Sequence, residues 1–173
     1  EYYNQREVIE LAQRLELDFT SSIAFNYGSF DCLTPHLHKL NLPYIYQDIK
    51  NKLQNSYDVI IIAGVNWNFF SDEIKREIER KVKDGTSLIY ICPVNTPPDL
   101  ANILGINMLK NDKEVSGKWE KVKNSFLTEG IPFQFLPPTT YYKYSINDHN
   151  DVPARVGSDP LLITGQYGKG RTA

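Results

Sequence analysis

The feature that most constrains the fold is a continuous apolar run near the middle of the chain. Residues 57–64 read Tyr-Asp-Val-Ile-Ile-Ile-Ala-Gly, so β-branched residues follow one another without alternation before a glycine. Such a run predicts a strand that is buried on both faces, which is typical of a parallel sheet. The run therefore favours an α/β architecture.

A helical pattern follows this run directly. Ser71 is suited to cap a helix, and two acidic residues come next in the positively polarised first turn. Apolar residues recur at four-residue spacing from Ile74 to Val82, and Gly85 stands where a C-terminal cap is expected. A second apolar run at 86–91 follows at once. The order strand, helix, strand predicts a right-handed βαβ unit.

Weaker patterns predict the remaining elements. We expect helices at 3–15, at 30–40 with Pro35 as its start or a kink, and at 97–104 before Gly105. We expect strands at 22–27, 43–47, 113–123, 139–146 and 161–167, followed by a turn at 168–170. Together they predict one domain over residues 1–173, an α/β fold with a mainly parallel sheet and a β-rich C-terminal part.

Composition excludes several classes of protein. The formal net charge is -2, so the chain lacks the positive field of a dedicated nucleic-acid binder. No apolar run reaches the roughly 18 residues that a membrane span needs. Two cysteines make neither a disulfide framework nor, alone, a four-ligand zinc site. The chain starts at Glu1 and stops soon after a turn, so we expect a fragment of a longer protein. The lack of a signal peptide then says nothing about the cellular compartment of that protein.

The ends of the two apolar strands are the expected place for a ligand site. Ligands of open α/β sheets bind beyond the carboxyl ends of the strands. The candidate ligand-binding residues here are Asn66, Trp67, Asn68 and Asn95. Trp67 and the following phenylalanines either form an exposed aromatic cluster for a sugar or a partner chain, or staple the next helix to the sheet. These two hypotheses carry equal weight.

The order of several short motifs resembles a known family. The strand ending in Gly64, the Ser-Asp-Glu helix start, Leu104-Gly105-Ile106, Leu127-Thr128-Glu129-Gly130-Ile131 and Gly165-Gln166-Tyr167-Gly168-Lys169-Gly170-Arg171 together cover about residues 45–173. They resemble the class I glutamine amidotransferase-like superfamily, in its non-amidotransferase branch. Relatives there include trehalose-utilisation-like proteins and the trimerisation domains of some β-galactosidases. The resemblance implies a flavodoxin-like three-layer sandwich and an accessory domain in a carbohydrate-related protein.

The same resemblance places Cys92 at the position of the family's nucleophile. The next residue is Pro93, which has no N–H to donate to an oxyanion. Loss of one such donor costs about 10²–10³ in rate. The family's histidine and glutamate would follow the strand that begins at Arg171, beyond the end of this chain. Cys92 is therefore a weak catalytic candidate, and a buried inert thiol is the favoured interpretation.

Three other patterns have ordinary explanations. Cys32 and His36 share one face of a helix, but His38 points elsewhere, so no metal site is predicted. The Gly168–Arg171 segment fits a hairpin turn better than a phosphate-binding loop. The aromatic stretch at 141–144 fits strand packing better than a stacking surface.

The sequence thus predicts a non-catalytic accessory or interaction domain, without a cofactor. Its expected partners are other domains of the parent chain, a second copy of itself or a carbohydrate, with neither nucleic acid nor membrane insertion. One alternative is a hydrolase or amidotransferase-like enzyme that uses residues beyond Ala173 or acidic residues such as Asp148 and Asp151. The other alternative is an oligomerisation module. His149 lies in a polar run that predicts a surface loop.

Overall fold

The computed structural model describes residues 10, 12–22, 35–91, 96–108 and 115–173. The described helices are α1 (Pro35–Leu53), α2 (Asp72–Asp84) and α3 (Pro98–Leu104). The described strands are β1 (Val59–Ala63), β2 (Ser87–Ile91), β3 (Ile106–Met108), β4 (Val115–Gly117), β5 (Glu120–Lys121), β6 (Thr139–Tyr141), β7 (Tyr144–Ile146), β8 (Asp151–Val156), β9 (Asp159–Tyr167) and β10 (Gly170–Thr172).

The strand-helix-strand order of the predicted βαβ unit is confirmed. β1 and β2 pair in parallel, and α2 connects them. The side chain of Ser71 accepts a hydrogen bond from the N–H of Ile74, and the N–H of Gly85 donates to the last turn of α2. The two helix caps were predicted from these residue types, since serine and glycine satisfy backbone groups that the helix leaves unpaired.

The predicted flavodoxin-like fold with a mainly parallel sheet is wrong. One six-stranded sheet has the order β1-β2-β10-β9-β8-β5. Only the pairs β1–β2 and β2–β10 are parallel among the described strands, and the three remaining pairs are antiparallel. β3–β7 and β4–β6 form two further antiparallel pairs. The reason is that two hairpins join β8, β9 and β10, and a hairpin reverses the chain direction.

The expectation that β1 is buried on both faces is also wrong. All three described helices contribute to one core cluster together with one face of the sheet, which Ile62, Leu88 and Tyr90 occupy. The other face carries Val59, Ile61 and Ile91, which are exposed. A continuous apolar run does not distinguish these arrangements, because both faces carry apolar side chains in either case.

The predicted strand at 43–47 is wrong, because these residues belong to α1. Ile45, Ile49 and Leu53 are buried at four-residue spacing, which is helical, and Pro43 stays on the exposed side. The predicted strand at 22–27 and most of the first predicted helix lie outside the described residues, although residues 12–14 are helical. In the described ranges, no helix combines the length and apolar composition that crossing a bilayer requires.

Candidate functional site

Local hydrogen bonds give the loop after β1 its shape. Gly64 adopts a left-handed conformation with φ of +64°, and its N–H donates to the carbonyl of Ile91 over 3.3 Å. Asn66 is extended, and its side-chain oxygen accepts from the N–H of Asn68 over 2.9 Å. This contact opens a 3₁₀ turn at Trp67–Phe69, which leads to the Ser71 cap of α2. The loop therefore has a defined shape at the carboxyl end of β1.

Trp67 fills the space under this loop. Its side chain is fully buried, and the indole N–H donates to the Asp99 carboxylate over 2.7 Å. The Trp67 ring meets Phe70 edge-on with centroids 5.7 Å apart, and it lies 6.3 Å from the ring of Tyr90. A buried tryptophan needs an acceptor for its N–H, and the first turn of α3 supplies one.

Two tyrosines tie the same loop to neighbouring elements. The hydroxyl of Tyr90 on β2 donates to the carbonyl of Val65, and the hydroxyl of Tyr46 on α1 donates to the carbonyl of Phe69 over 2.6 Å. Burial raises the pKa of Tyr90 well above its usual range, so this hydroxyl stays protonated. Sequence reasoning did not include Tyr46, Tyr90 or Asp99, because only their contacts across the fold distinguish them from ordinary helix and strand residues.

The predicted ligand-binding residues are therefore not equivalent. Asn68 is exposed and Asn66 is partly buried, whereas Trp67 is enclosed. Asn95 and the catalytic candidate Cys92 lie outside the described residues. Packing accounts for Trp67 and Phe70, which is the stapling arrangement, and ligand binding at Asn66 and Asn68 stays a prediction. Chemically, the described loop offers amide groups at its surface above a closed aromatic interior.

We expect Tyr90→Phe to lower the free energy of unfolding by about 1 kcal/mol. The substitution keeps the ring but leaves the carbonyl of Val65 without its donor. Urea denaturation of the purified chain measures the change. Tyr44→Phe is the matched control, since Tyr44 is exposed on α1 and its substitution should change stability little. Equal stabilities of the two variants would show that the Tyr90 hydroxyl does not hold the loop.

The other histidine and cysteine candidates give no described site. Cys32 lies outside the described residues, as do the side chains of His36 and His38. His149 is exposed in a turn, in agreement with the predicted surface loop. Among the described residues, no group of three or more histidine, cysteine, aspartate or glutamate side chains is placed to hold a metal ion.

Asp148 and Asp151 do not approach the loop after β1. β8 runs in the same direction as β1 and β2, because it is antiparallel to β9, which is antiparallel to β10. Asp151 begins β8 and therefore lies at the opposite edge of the sheet from Asn66. Both carboxylates are exposed, and Asp151 forms an ion pair with Lys123.

The hairpin interpretation of the glycine-rich segment is confirmed. Gly168 and Lys169 form the turn between β9 and β10, in which Gly170 pairs with Tyr167. The aromatic stretch at 141–144 belongs to two strands, β6 and β7, and not to one. The hydroxyl of Tyr141 donates to Asp159 over 2.8 Å. Burial is the larger cause and this hydrogen bond the next largest, and they raise the pKa of Tyr141 to about 12.

Comparison with known proteins identifies the family. The family described as Domain of unknown function (DUF7408) matches residues 45–173, which is well over half of the chain. The chain belongs to the DUF7408 family. No curated protein matches this DUF7408 chain.

Two solved structures share its fold. The DUF7408 chain is similar to cytoplasmic protein STM3548 from Salmonella typhimurium, with 24% identity and a TM-score of 0.59. The match covers 72% of the DUF7408 chain and 61% of that protein. Cytoplasmic protein STM1381 from Salmonella typhimurium LT2 is 25% identical with a TM-score of 0.56, over 67% of this chain and 58% of that one. The DUF7408 chain thus spans about three-fifths of each of these proteins.

Carbohydrate-active enzymes are also among the structural neighbours. An exo-β-1,4-mannosidase from Opitutaceae bacterium strain TAV5 is 12% identical with a TM-score of 0.46, over 86% of the DUF7408 chain and 28% of the enzyme. A GH42 β-galactosidase from G. stearothermophilus is 14% identical with a TM-score of 0.44, over 86% and 24% respectively. Scores this low support no conclusion about function. The class I glutamine amidotransferase-like superfamily itself is not confirmed by these comparisons.

Proposed function

We propose that the DUF7408 domain is a non-catalytic accessory or interaction domain of a larger protein. One observation carries this proposal. The space beneath the loop after β1, where an α/β sheet would hold a substrate, is filled by Trp67 and by the tyrosine hydroxyls that bind the loop carbonyls. A filled strand end leaves little room for a reacting group in the described part of the site. The connection to carbohydrate stays a prediction from the sequence resemblance.

The sequence around Cys92 supports the same proposal. An elbow nucleophile depends on the N–H of the residue that follows it, and Pro93 has none. The described carboxylates Asp148 and Asp151 are solvated at the other edge of the sheet. The enzyme alternative would therefore have to use groups other than these.

Activity measurements on variants of the two cysteines test the proposal. We expect the purified chain, and any longer protein that contains it, to show no glutaminase or thiol-dependent hydrolase turnover above background. Cys92→Ala should change nothing, and Cys32→Ala is the matched control because these are the two cysteines of the chain. Turnover that is lost in Cys92→Ala and kept in Cys32→Ala would overturn the non-catalytic proposal.

A further inference from the structure

The main sheet has no described strand beyond β1, although β1 carries backbone groups that face that way. β1 is the first strand in the sheet and pairs with β2 on its other side. The carbonyl of Asp58 accepts from the N–H of Ser87 on β2. The N–H of Gly64 donates to the carbonyl of Ile91, so the even-numbered residues at 58–64 turn their backbone groups toward β2. Because these groups alternate in direction along a strand, the odd-numbered ones face the other side. We call that side the open edge of β1.

The helix that precedes β1 lies on the same side of the sheet as this edge. α1 contacts α2, α2 contacts β10 and α3 contacts β9, so the helices follow the order of the strands. The hydroxyl of Tyr46 on α1 also donates to Phe69, just after β1. A strand that is joined to a parallel neighbour through a helix forms a right-handed connection in nearly all proteins. Since α1 and α2 cover the same face, a strand before α1 belongs on the side of β1 away from β2.

The chain before α1 arrives at the end of the sheet where β1 begins. The hydroxyl of Ser22 donates to the carboxylate of Asp48 over 2.7 Å, and Nζ of Lys52 donates to the carbonyl of Ser21 over 2.6 Å. Both contacts are with the last turns of α1, which lead directly to β1. α1 begins at Pro35, and at 1.5 Å per residue this start lies about 20 Å from Asp48. The chain between Ser22 and Pro35 must therefore travel in the direction of β1.

We propose that the open edge of β1 is a docking edge for residues 23–27 of the same chain, which pair with β1 in parallel. These residues lie outside the described residues, and their sequence, Ile-Ala-Phe-Asn-Tyr, belongs to the strand predicted at 22–27. Five extended residues span about 16 Å, which matches the five residues of β1. Residues 28–34 are then long enough to reach the start of α1.

The position of Ser22 favours this occupant over a separate chain. Ser22 is fixed beside the edge, so the residues directly after it have an effective concentration there in the millimolar range or above. The proposed pairing adds one parallel pair to the sheet, which stays mixed. It also covers an edge on which strands of other molecules could otherwise pair. The inference does not depend on the proposed function.

Amide hydrogen exchange of the purified chain, followed by NMR, tests the inference. The N–H of Ile61 faces the open edge, whereas those of its neighbours Ile60 and Ile62 face β2 and serve as internal controls. We expect the three groups to exchange within about tenfold of one another, because all three are held in strand pairs. If the edge is uncovered, Ile61 should exchange at least about 100-fold faster than the controls. Nuclear Overhauser contacts between β1 and residues 23–27 identify the occupant.

Proline substitution tests the same pairing from the other strand. Consecutive N–H groups of a strand face opposite sides, so either Ala24→Pro or Phe25→Pro removes a donor to β1. That variant should increase the exchange rate of Ile61 at least about tenfold. Asp18→Pro is the matched control, because Asp18 is exposed in a segment that is neither helix nor strand.

Three results would overturn the inference. They are rapid exchange of Ile61 in the unsubstituted chain, contacts to β1 from another molecule or another segment, and an Ile61 rate that neither proline variant changes. The first two need no substituted protein, so they hold even if a proline variant fails to fold. All three leave the non-catalytic proposal standing, whereas cysteine-dependent turnover would overturn that proposal and not the strand pairing.

Discussion

Trp67→Ala is expected to lower the free energy of unfolding by about 3–5 kcal/mol, the usual effect of removing a buried tryptophan. The substitution opens a cavity between the loop after β1 and the first turn of α3. It also removes the donor that satisfies Asp99, and it takes away the ring against which Phe70 packs. Chemical denaturation followed by far-ultraviolet circular dichroism measures the change.

Asn68→Ala is the control for this prediction. Asn68 is adjacent in the same 3₁₀ turn, but its side chain is exposed, so its removal should change stability by less than about 0.5 kcal/mol. Trp67→Phe should fall between the two, because it keeps an aromatic ring and loses the indole N–H. If Trp67→Ala is no less stable than Asn68→Ala, then the loop interior is not the packed cluster that supports the proposed function.

Gly170→Ala is expected to lower the free energy of unfolding by about 3 kcal/mol. A Cβ atom there would lie 2.3 Å from the carbonyl oxygen of Thr86 and 2.4 Å from that of Val82. Both are backbone atoms at the end of α2 and the start of β2, so neither moves aside as a flexible side chain would. Thermal and urea denaturation of the variant measure the loss.

Gly157→Ala is the matched control. Gly157 occupies the turn between β8 and β9 with φ of +56°, and a Cβ atom added there would have no neighbouring atom within 4 Å. The left-handed conformation alone should cost about 1 kcal/mol. A loss at Gly170 no greater than that at Gly157 would show that the β9–β10 hairpin does not contact α2 closely.

Helices and strands whose formation depends on residues close to them in the chain could be predicted from the sequence. α2 is determined by its Ser71 cap, its buried Ile74, Ile78 and Val82, and its terminal Gly85, all within fifteen residues of one another. β1 precedes α2 in the chain and β2 follows it, and both strands were predicted from their apolar runs. Local patterning suffices here because the same short segment contains both the helix signals and the strand signals.

The partners of strands that pair across long stretches of the chain could not be predicted. β8 was missed because Pro153 interrupts its apolar residues, although the strand tolerates the proline at an irregular position between Asp151 and Ala154. The pairing of Thr172 with Leu88 joins segments more than eighty residues apart. No repeat or turn motif in either segment indicates which strand it will contact.

The side-chain contacts of the loop after β1 also depend on residues that are distant in the chain. The sequence around Trp67 does not distinguish an exposed tryptophan from a buried one. Its burial depends on Asp99, which accepts its hydrogen bond from 32 residues away, and on Tyr90 in the next strand. Asn66 and Asn68 follow β1, but the residues that support this loop become apparent only in the fold.

The position of β10 in the sheet has a consequence for folding. β10 lies between β2 and β9, so it alone joins the parallel strands to the antiparallel ones in the described sheet. During synthesis, β1, α2 and β2 leave the ribosome about eighty residues before their inner neighbour does. The free edge of β2 must therefore stay unpaired during this interval, when it is open to contacts with other nascent chains. The pairing of β10 with β2 is a contact between residues far apart in the chain, and contacts of this kind form slowly during folding.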